Sequence, residues 1–233
     1  MSTKGRPEGE YRSAKHEGGL MTSSIDLRAY MTPLPLFAVL RGISPEEIED
    51  VGAVLVEAGL RLLEVPLNSP RPFESIALLT REFGDRCLTG AGTVMSPDDV
   101  GRVQDAGGRL IVMPHADLAV VREAKRRGLC CVPGVATPTE AFAVLAAGAD
   151  GIKMFPAEQL SPAALKAWRA VLPRDTLVFP VGGMRPDNLG PWWDAGANGF
   201  GTGSNLYKPG ARVDEVRAAG FAFAAAFSAL PRR

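Results

Sequence analysis

The sequence predicts an α/β fold, a single closed (β/α)8 barrel, and three observations carry that reading. Short apolar runs alternate with longer amphipathic ones from Leu34 to the C-terminus. Hydroxyl-proline-acid signals open several of the amphipathic segments and glycines close them. No linker rich in Pro, Gly or Ser interrupts the alternation, and 233 residues that are 46% hydrophobic suffice for one large core.

The apolar runs fall at residues 34–40, 60–65, 87–92, 110–114, 129–133, 151–155, 177–181 and 199–203, eight in all. Their ends recur roughly every 20 to 30 residues, the length that a strand, a loop and a returning helix require in a parallel unit. Between them, Ser44-Pro45-Glu46-Glu47, Ser96-Pro97-Asp98-Asp99 and Thr137-Pro138-Thr139-Glu140 each place a hydroxyl at the N-cap, proline at the first helical position and a carboxylate that reaches back to the cap. Gly59, Gly107, Gly148 and Gly196 stand where those helices must stop, because glycine enters the left-handed conformation without a Cβ clash. An open doubly wound sheet is the competing architecture, but no GxGxxG follows the first strand and no shift in composition marks a second domain.

The barrel domain is set at residues 31–233. Residues 1 to about 20 are polar and mixed in charge, without an apolar run of signal-peptide or membrane-spanning length, and residues 1–30 read as a flexible N-terminal segment outside the fold, in which Met21 is either an alternative start or a junction. Lys plus Arg and Asp plus Glu balance at 26 each, so the overall field attracts neither a nucleic acid nor an acidic membrane, and any anion must be caught locally. Three cysteines, two of them adjacent, form no obvious disulfide framework and suit the reducing cytoplasm. Two histidines without zinc-site spacing give no expectation of a metal, and no cofactor is expected.

Strand alternation directs the chemistry. In Ile152-Lys153-Met154-Phe155, the apolar Ile152 and Met154 face the helices, so Lys153 and Phe155 face inward; in Leu63-Glu64-Val65, Glu64 does the same. Such a lysine and carboxylate either neutralise each other or do chemistry, since burial holds an amine neutral enough to attack a carbonyl and form a Schiff base. Arg41 ends the first strand, where its fork suits a substrate carboxylate, and Thr93 ends the third in a run of small residues that lets a ligand approach. Strands seven and eight end in Gly182-Gly183 and Gly203-Ser204, a recurrent barrel site for phosphate built from backbone N–H groups and helix N-termini.

Six motifs together resemble the 2-keto-3-deoxy-6-phosphogluconate and -galactonate aldolase family: Leu40-Arg41-Gly42-Ile43, Glu64-Val65-Pro66-Leu67-Asn68-Ser69-Pro70, Gly90-Ala91-Gly92-Thr93-Val94, Ile152-Lys153-Met154-Phe155-Pro156, Val181-Gly182-Gly183 and Gly203-Ser204-Asn205-Leu206-Tyr207. The resemblance implies a class I aldolase in which Lys153 is the Schiff-base lysine and Glu64 the general acid and base. Arg41 and Thr93 would contact the substrate carboxylate, Phe155, Val181 and Pro114 would line the pocket, and Gly182, Gly183, Gly203 and Ser204 would hold the phosphate. Asn68 after the glutamate and Val181 before the paired glycines resemble the galactonate branch, whose reaction cleaves 2-dehydro-3-deoxy-6-phospho-D-galactonate to pyruvate and D-glyceraldehyde 3-phosphate. It also implies a homotrimer. Met184-Arg185-Pro186 and His115 depart from the pattern: Arg185 either assists the phosphate or lies in solvent, and His115 either touches substrate or is a bystander. A gluconate or 4-hydroxy-2-oxoglutarate aldolase, a non-covalent phosphate-binding isomerase or synthase, and a sensor without turnover are the alternatives.

Overall fold

The structure, a computed structural model, describes residues 25–232. Within it, parallel strands alternate with helices in the predicted order: β1 Leu34–Val39, α1 Ile48–Glu57, β2 Leu60–Pro66, α2 Pro72–Phe83, β3 Leu88–Gly92, α3 Pro97–Asp105, β4 Leu110–Val112, α4 Leu118–Arg126, β5 Cys130–Val132, β6 Gly134–Val135, α5 Pro138–Ala146, β7 Ile152–Met154, α6 Pro162–Arg169, β8 Val178–Pro180, α7 Leu189–Asp194, β9 Phe200–Thr202 and α8 Val213–Ser228. They form a curled parallel arrangement of two sheets, ordered β5-β4-β3-β2-β1-β9 and β6-β7-β8. A single bridge, Val181 with Gly201, lies between the second sheet and β9.

The eight expected strands thus appear as nine, because Pro133 divides the fifth. Proline carries no N–H and interrupts a ladder. Before it, β5 pairs with β4; after it, β6 pairs with β7. Two bonds span the change of partner, Asp150 N–H donating to the Cys131 carbonyl (3.0 Å) and Lys153 N–H to that of Pro133 (2.9 Å).

The caps act as the sequence foretold. Ser44 with Glu47 and Thr137 with Glu140 form reciprocal capping boxes, and the Ser96 hydroxyl accepts from Asp99 N–H. After Ser44 the first turn is 3-10, over Pro45–Glu47, before α1 begins. Gly59, Gly107, Gly148 and Gly196 all have positive φ, between 84° and 109°.

Two apolar layers confirm the period-two register. One packs the convex face of the strands, including Leu63, Val65, Ile152 and Met154, against helix residues such as Leu55, Ile76, Val120 and Trp168. The other lies on the concave face and gathers Phe37, Leu62, Leu88, Leu110, Val112, Val132 and Phe179. Leu27 joins that inner layer from the 3-10 turn Leu27–Tyr30, with Ile25, Tyr30 and Met31 packed beside it. Residues 25–30, placed in the flexible segment outside the fold, are therefore part of it, because one buried leucine anchors the turn; the remainder of the expected flexible segment lies outside the described residues. Among the described residues no helix is long and apolar enough to cross a membrane. All three cysteines are buried free thiols; burial raises the pKa of each, that of Cys131 to about 12.

Candidate active site

Glu64 and Lys153 project from β2 and β7 into one narrow pocket on the concave face, whose other walls are Phe37, Val39, Val112, Val132, Phe179 and Val181. Glu64 is 1% exposed and Lys153 6%. In this apolar enclosure both charged forms lose water. Burial pushes the Glu64 carboxyl up to about 7, against the opposing pull of the positive charges of Lys153 and Arg41. The Lys153 amine is pushed down, chiefly by burial and further by Arg41, while Glu64 works in the other direction. Among the described residues Glu64 Oε2 has no hydrogen-bond partner, so the carboxyl is held ready rather than consumed in a structural bond. The amine also lies 4.6 Å from the centroid of the Phe155 ring, a neighbour that gives the nitrogen an apolar wall.

Space for Glu64 comes from the neighbouring strand. Glu64 pairs in register with Gly90, and a Cβ on Gly92 would fall 1.7 Å from Oε2. Only a residue without a side chain leaves the carboxyl where it is.

Arg41 follows β1 and reaches across to β2 and β3: Nη1 donates to Asn68 Oδ1 (2.6 Å) and Nη2 to Thr93 Oγ1 (3.4 Å). The predicted pair Arg41 and Thr93 is thus brought together, and Asn68 joins them. Thr93 has φ 54°, rare for a β-branched residue and costly by about 1–3 kcal/mol. An open groove of about 470 Å³ lies alongside, with Asn68, Thr93, Phe73 and Arg102 in its walls. It is larger than the Glu64–Lys153 pocket but holds none of the perturbed groups, which lie in the smaller one.

The two glycine turns are adjacent. The Thr202 hydroxyl and the Asn205 amide both donate to the Met184 carbonyl (3.2 and 3.0 Å), joining the chain after Gly182-Gly183 to the chain around Gly203-Ser204. Gly182 and Gly183 have φ 109° and 65°, and Ser204 is exposed. The expected helix N-termini are weaker than the sequence suggested: a 3-10 turn and the six-residue α7 follow the first turn, and α8 starts only at Val213 after the second. Any anion here rests on backbone N–H groups and side chains.

Val181 lies in the pocket wall beside Lys153, and Pro114 follows β4 with its backbone packed against Gly134. Next to it, the buried His115 Nδ1 has no partner among the described residues. Arg185 turns back to Asp187 (Nε to Oδ1, 3.1 Å). Two contributors escaped the sequence reading, Gly92 as the space beside Glu64 and Asn68 as the support of Arg41. A small residue opposite an inward carboxyl was the only available signal for the first.

Comparison with known proteins agrees with this geometry. The family model for KDPG and KHG aldolase matches residues 27–218. A probable 2-dehydro-3-deoxy-6-phosphogalactonate aldolase of Rhizobium meliloti is 47% identical over 196 residues, covering 84% of this chain and 92% of its own length. The 2-dehydro-3-deoxy-6-phosphogalactonate aldolase of Escherichia coli is 45% identical over 199 residues, 85% of this chain and 97% of the relative. A solved structure described as native KDPGal superposes with a TM-score of 0.84 at 43% identity, over 85% of this chain and 97% of the other. With a family match over most of its length and an inward lysine and carboxyl at its centre, this chain belongs to the KDPG and KHG aldolase family.

Proposed function

We propose that this chain is a class I aldolase that cleaves 2-dehydro-3-deoxy-6-phospho-D-galactonate to pyruvate and D-glyceraldehyde 3-phosphate. The observation that carries the chemistry is the buried amine of Lys153 sharing an otherwise apolar pocket with the unpartnered carboxyl of Glu64. The substrate follows from the names of the two galactonate relatives, each at least 45% identical to this chain.

In this reading the neutral Lys153 amine attacks the C2 ketone, and the carbinolamine loses water to give a protonated imine. Glu64 takes the proton of the C4 hydroxyl as the C3–C4 bonding pair moves toward the iminium, which becomes an enamine as D-glyceraldehyde 3-phosphate departs. The protonated Glu64 then returns a proton to C3, and water hydrolyses the imine to release pyruvate and the free amine. A carboxyl with a pKa of about 7 suits both halves of this exchange near neutral pH. Arg41, oriented by Asn68 and Thr93, holds the C1 carboxylate; the glycine turns with Ser204 hold the phosphate; and the two anchors set the scissile bond against Lys153. Phe155, Val181 and Pro114 form the walls around the carbon chain.

The finer architecture belongs to the same proposal. The bridge between Val181 and Gly201 and the bonds across Pro133 support a closed eight-stranded (β/α)8 barrel in which β5 and β6 are one interrupted strand. A homotrimer in the cytoplasm is the assembly and location we propose, from the family resemblance and the buried reduced thiols.

The test is reductive trapping. Borohydride with pyruvate should add one pyruvyl group at Lys153 in the wild type and none in a folded Lys153→Met variant, and cleavage of the galactonate epimer should exceed that of the gluconate epimer. Stoichiometric trapping in Lys153→Met would refute the covalent role; a preference for the gluconate epimer would refute the substrate.

A further inference from the structure

The glycine turn that the proposed function gives to the phosphate already carries an anion. Glu158 lies on the 3-10 turn Ala157–Gln159, soon after the lysine strand. A Cβ built on Gly182 would meet its Oε2 at 2.1 Å, and one built on Gly183 would meet its Cγ at 2.8 Å. The Glu158 side chain therefore lies directly over both glycines, in the space their missing side chains leave open. Among the described residues its carboxylate has no hydrogen-bond or ion-pair partner, and the residue is exposed. Arg185, which follows Gly182-Gly183 in the chain, is engaged with Asp187 instead. Its exposure leaves it free to rotate into solvent when another anion takes the turn.

A phosphate and a carboxylate cannot occupy one concave turn together, because like charges repel and both would fill the same volume. We infer that Glu158 is a built-in competitor for the substrate phosphate at the Gly182-Gly183 turn, displaced whenever a phosphorylated ligand binds. This rests on the phosphate site of the proposed function and adds a determinant of affinity to it. Every phosphate-bearing ligand must meet the same displacement cost. The full substrate offsets it with contacts at Lys153 and Arg41, whereas free inorganic phosphate has no other contact with which to do so. Glu158 thereby keeps the site from filling with free phosphate, and it re-covers the turn once the C3–C4 bond is broken and the phosphorylated fragment loses its link to Lys153.

The test measures three constants in the wild type, Glu158→Gln, Glu158→Ala and Ser204→Asp: Ki for inorganic phosphate against cleavage, KM for the phosphorylated substrate, and KM for pyruvate in C3 proton exchange. In both Glu158 variants the first two should fall by the same factor, about tenfold, which corresponds to about 1.4 kcal/mol, while the pyruvate constant stays within about twofold. Ser204→Asp adds an anion at the exposed partner turn and should raise the first two. If Ser204→Asp raises them and the Glu158 variants leave them unchanged or raise them, the inference about Glu158 is wrong and the phosphate site stands. If Ser204→Asp leaves both unchanged, the phosphate site is elsewhere and the inference falls with it. A fall in the pyruvate constant as large as in the other two would also overturn it, because the effect would not be phosphate-specific.

Discussion

Replacing Glu64 by glutamine separates its cost to the fold from its proposed use in the reaction. In the wild type the carboxyl has a pKa of about 7 in the fold against an ordinary 4.5, so the native state holds more protons than the unfolded state between those values. Stability contributed by the protonated carboxyl is complete below about pH 4.5 and is lost as pH rises through about 7. At about 1.36 kcal/mol per pKa unit, the loss amounts to about 3 kcal/mol. Glu64→Gln cannot ionise and avoids it. Lys153 adds in the same direction: without the neighbouring carboxylate its already depressed pKa falls further, and a lysine that loses its proton earlier in the fold than in the open chain gains stability as pH rises.

Urea unfolding at fixed protein concentration should therefore show the variant gaining on the wild type by about 3 kcal/mol between about pH 4.5 and pH 8. Parallel stability curves over that range would show that Glu64 ionises normally in the fold, and the account of the pocket would fail. In the same variant, kcat for cleavage should drop about 100- to 10,000-fold with the pyruvate adduct on Lys153 still formed. Unchanged turnover would remove Glu64 from the proton transfers.

Two further substitutions probe the frame around these groups. Gly92→Ala, whose new Cβ would fall on Glu64 Oε2, should fold, since Gly92 has no left-handed φ, yet displace the carboxyl and cut kcat about 100-fold; a rate within threefold of wild type would count against the tight approach. Thr93→Gly should change unfolding stability by less than about 1 kcal/mol, because relief of the φ 54° strain offsets the extra entropy of glycine in the unfolded chain, while KM for pyruvate rises as the Arg41 contact is lost; a stability loss above about 2 kcal/mol would show that Thr93 is not strained.

What was readable in the sequence was what neighbouring residues determine. Capping boxes at Ser44 and Thr137 and the stops at Gly59 and Gly148 operate within one helical turn, so their chemistry is visible in a few consecutive letters. The inward direction of Lys153 and Glu64 was equally local, since apolar residues on either side commit the strand's convex face and leave the alternate position one way to point. The break at Pro133 was different. The proline was evident, but whether the strand would end, bulge or change partners depends on β4 and β7, which approach it only after folding. Leu27 shows the same limit, as its burial comes from the distant inner layer, which meets it only after folding.

The site itself combines both kinds of information. Arg41 and Thr93 could each be proposed from a strand end, yet the Asn68 amide that orients the guanidinium and the left-handed backbone at Thr93 appear only once three strand ends converge. Gly92 and Glu64 make the point most sharply. A glycine in a strand has many explanations, including a turn, a bulge or close backbone packing. Here its lack of a side chain creates the void in which a carboxyl from another strand stays dry, unpartnered and half-protonated near neutrality. The buried, raised-pKa state of Glu64 is thus a property of the pair of strands, and neither segment read alone contains it.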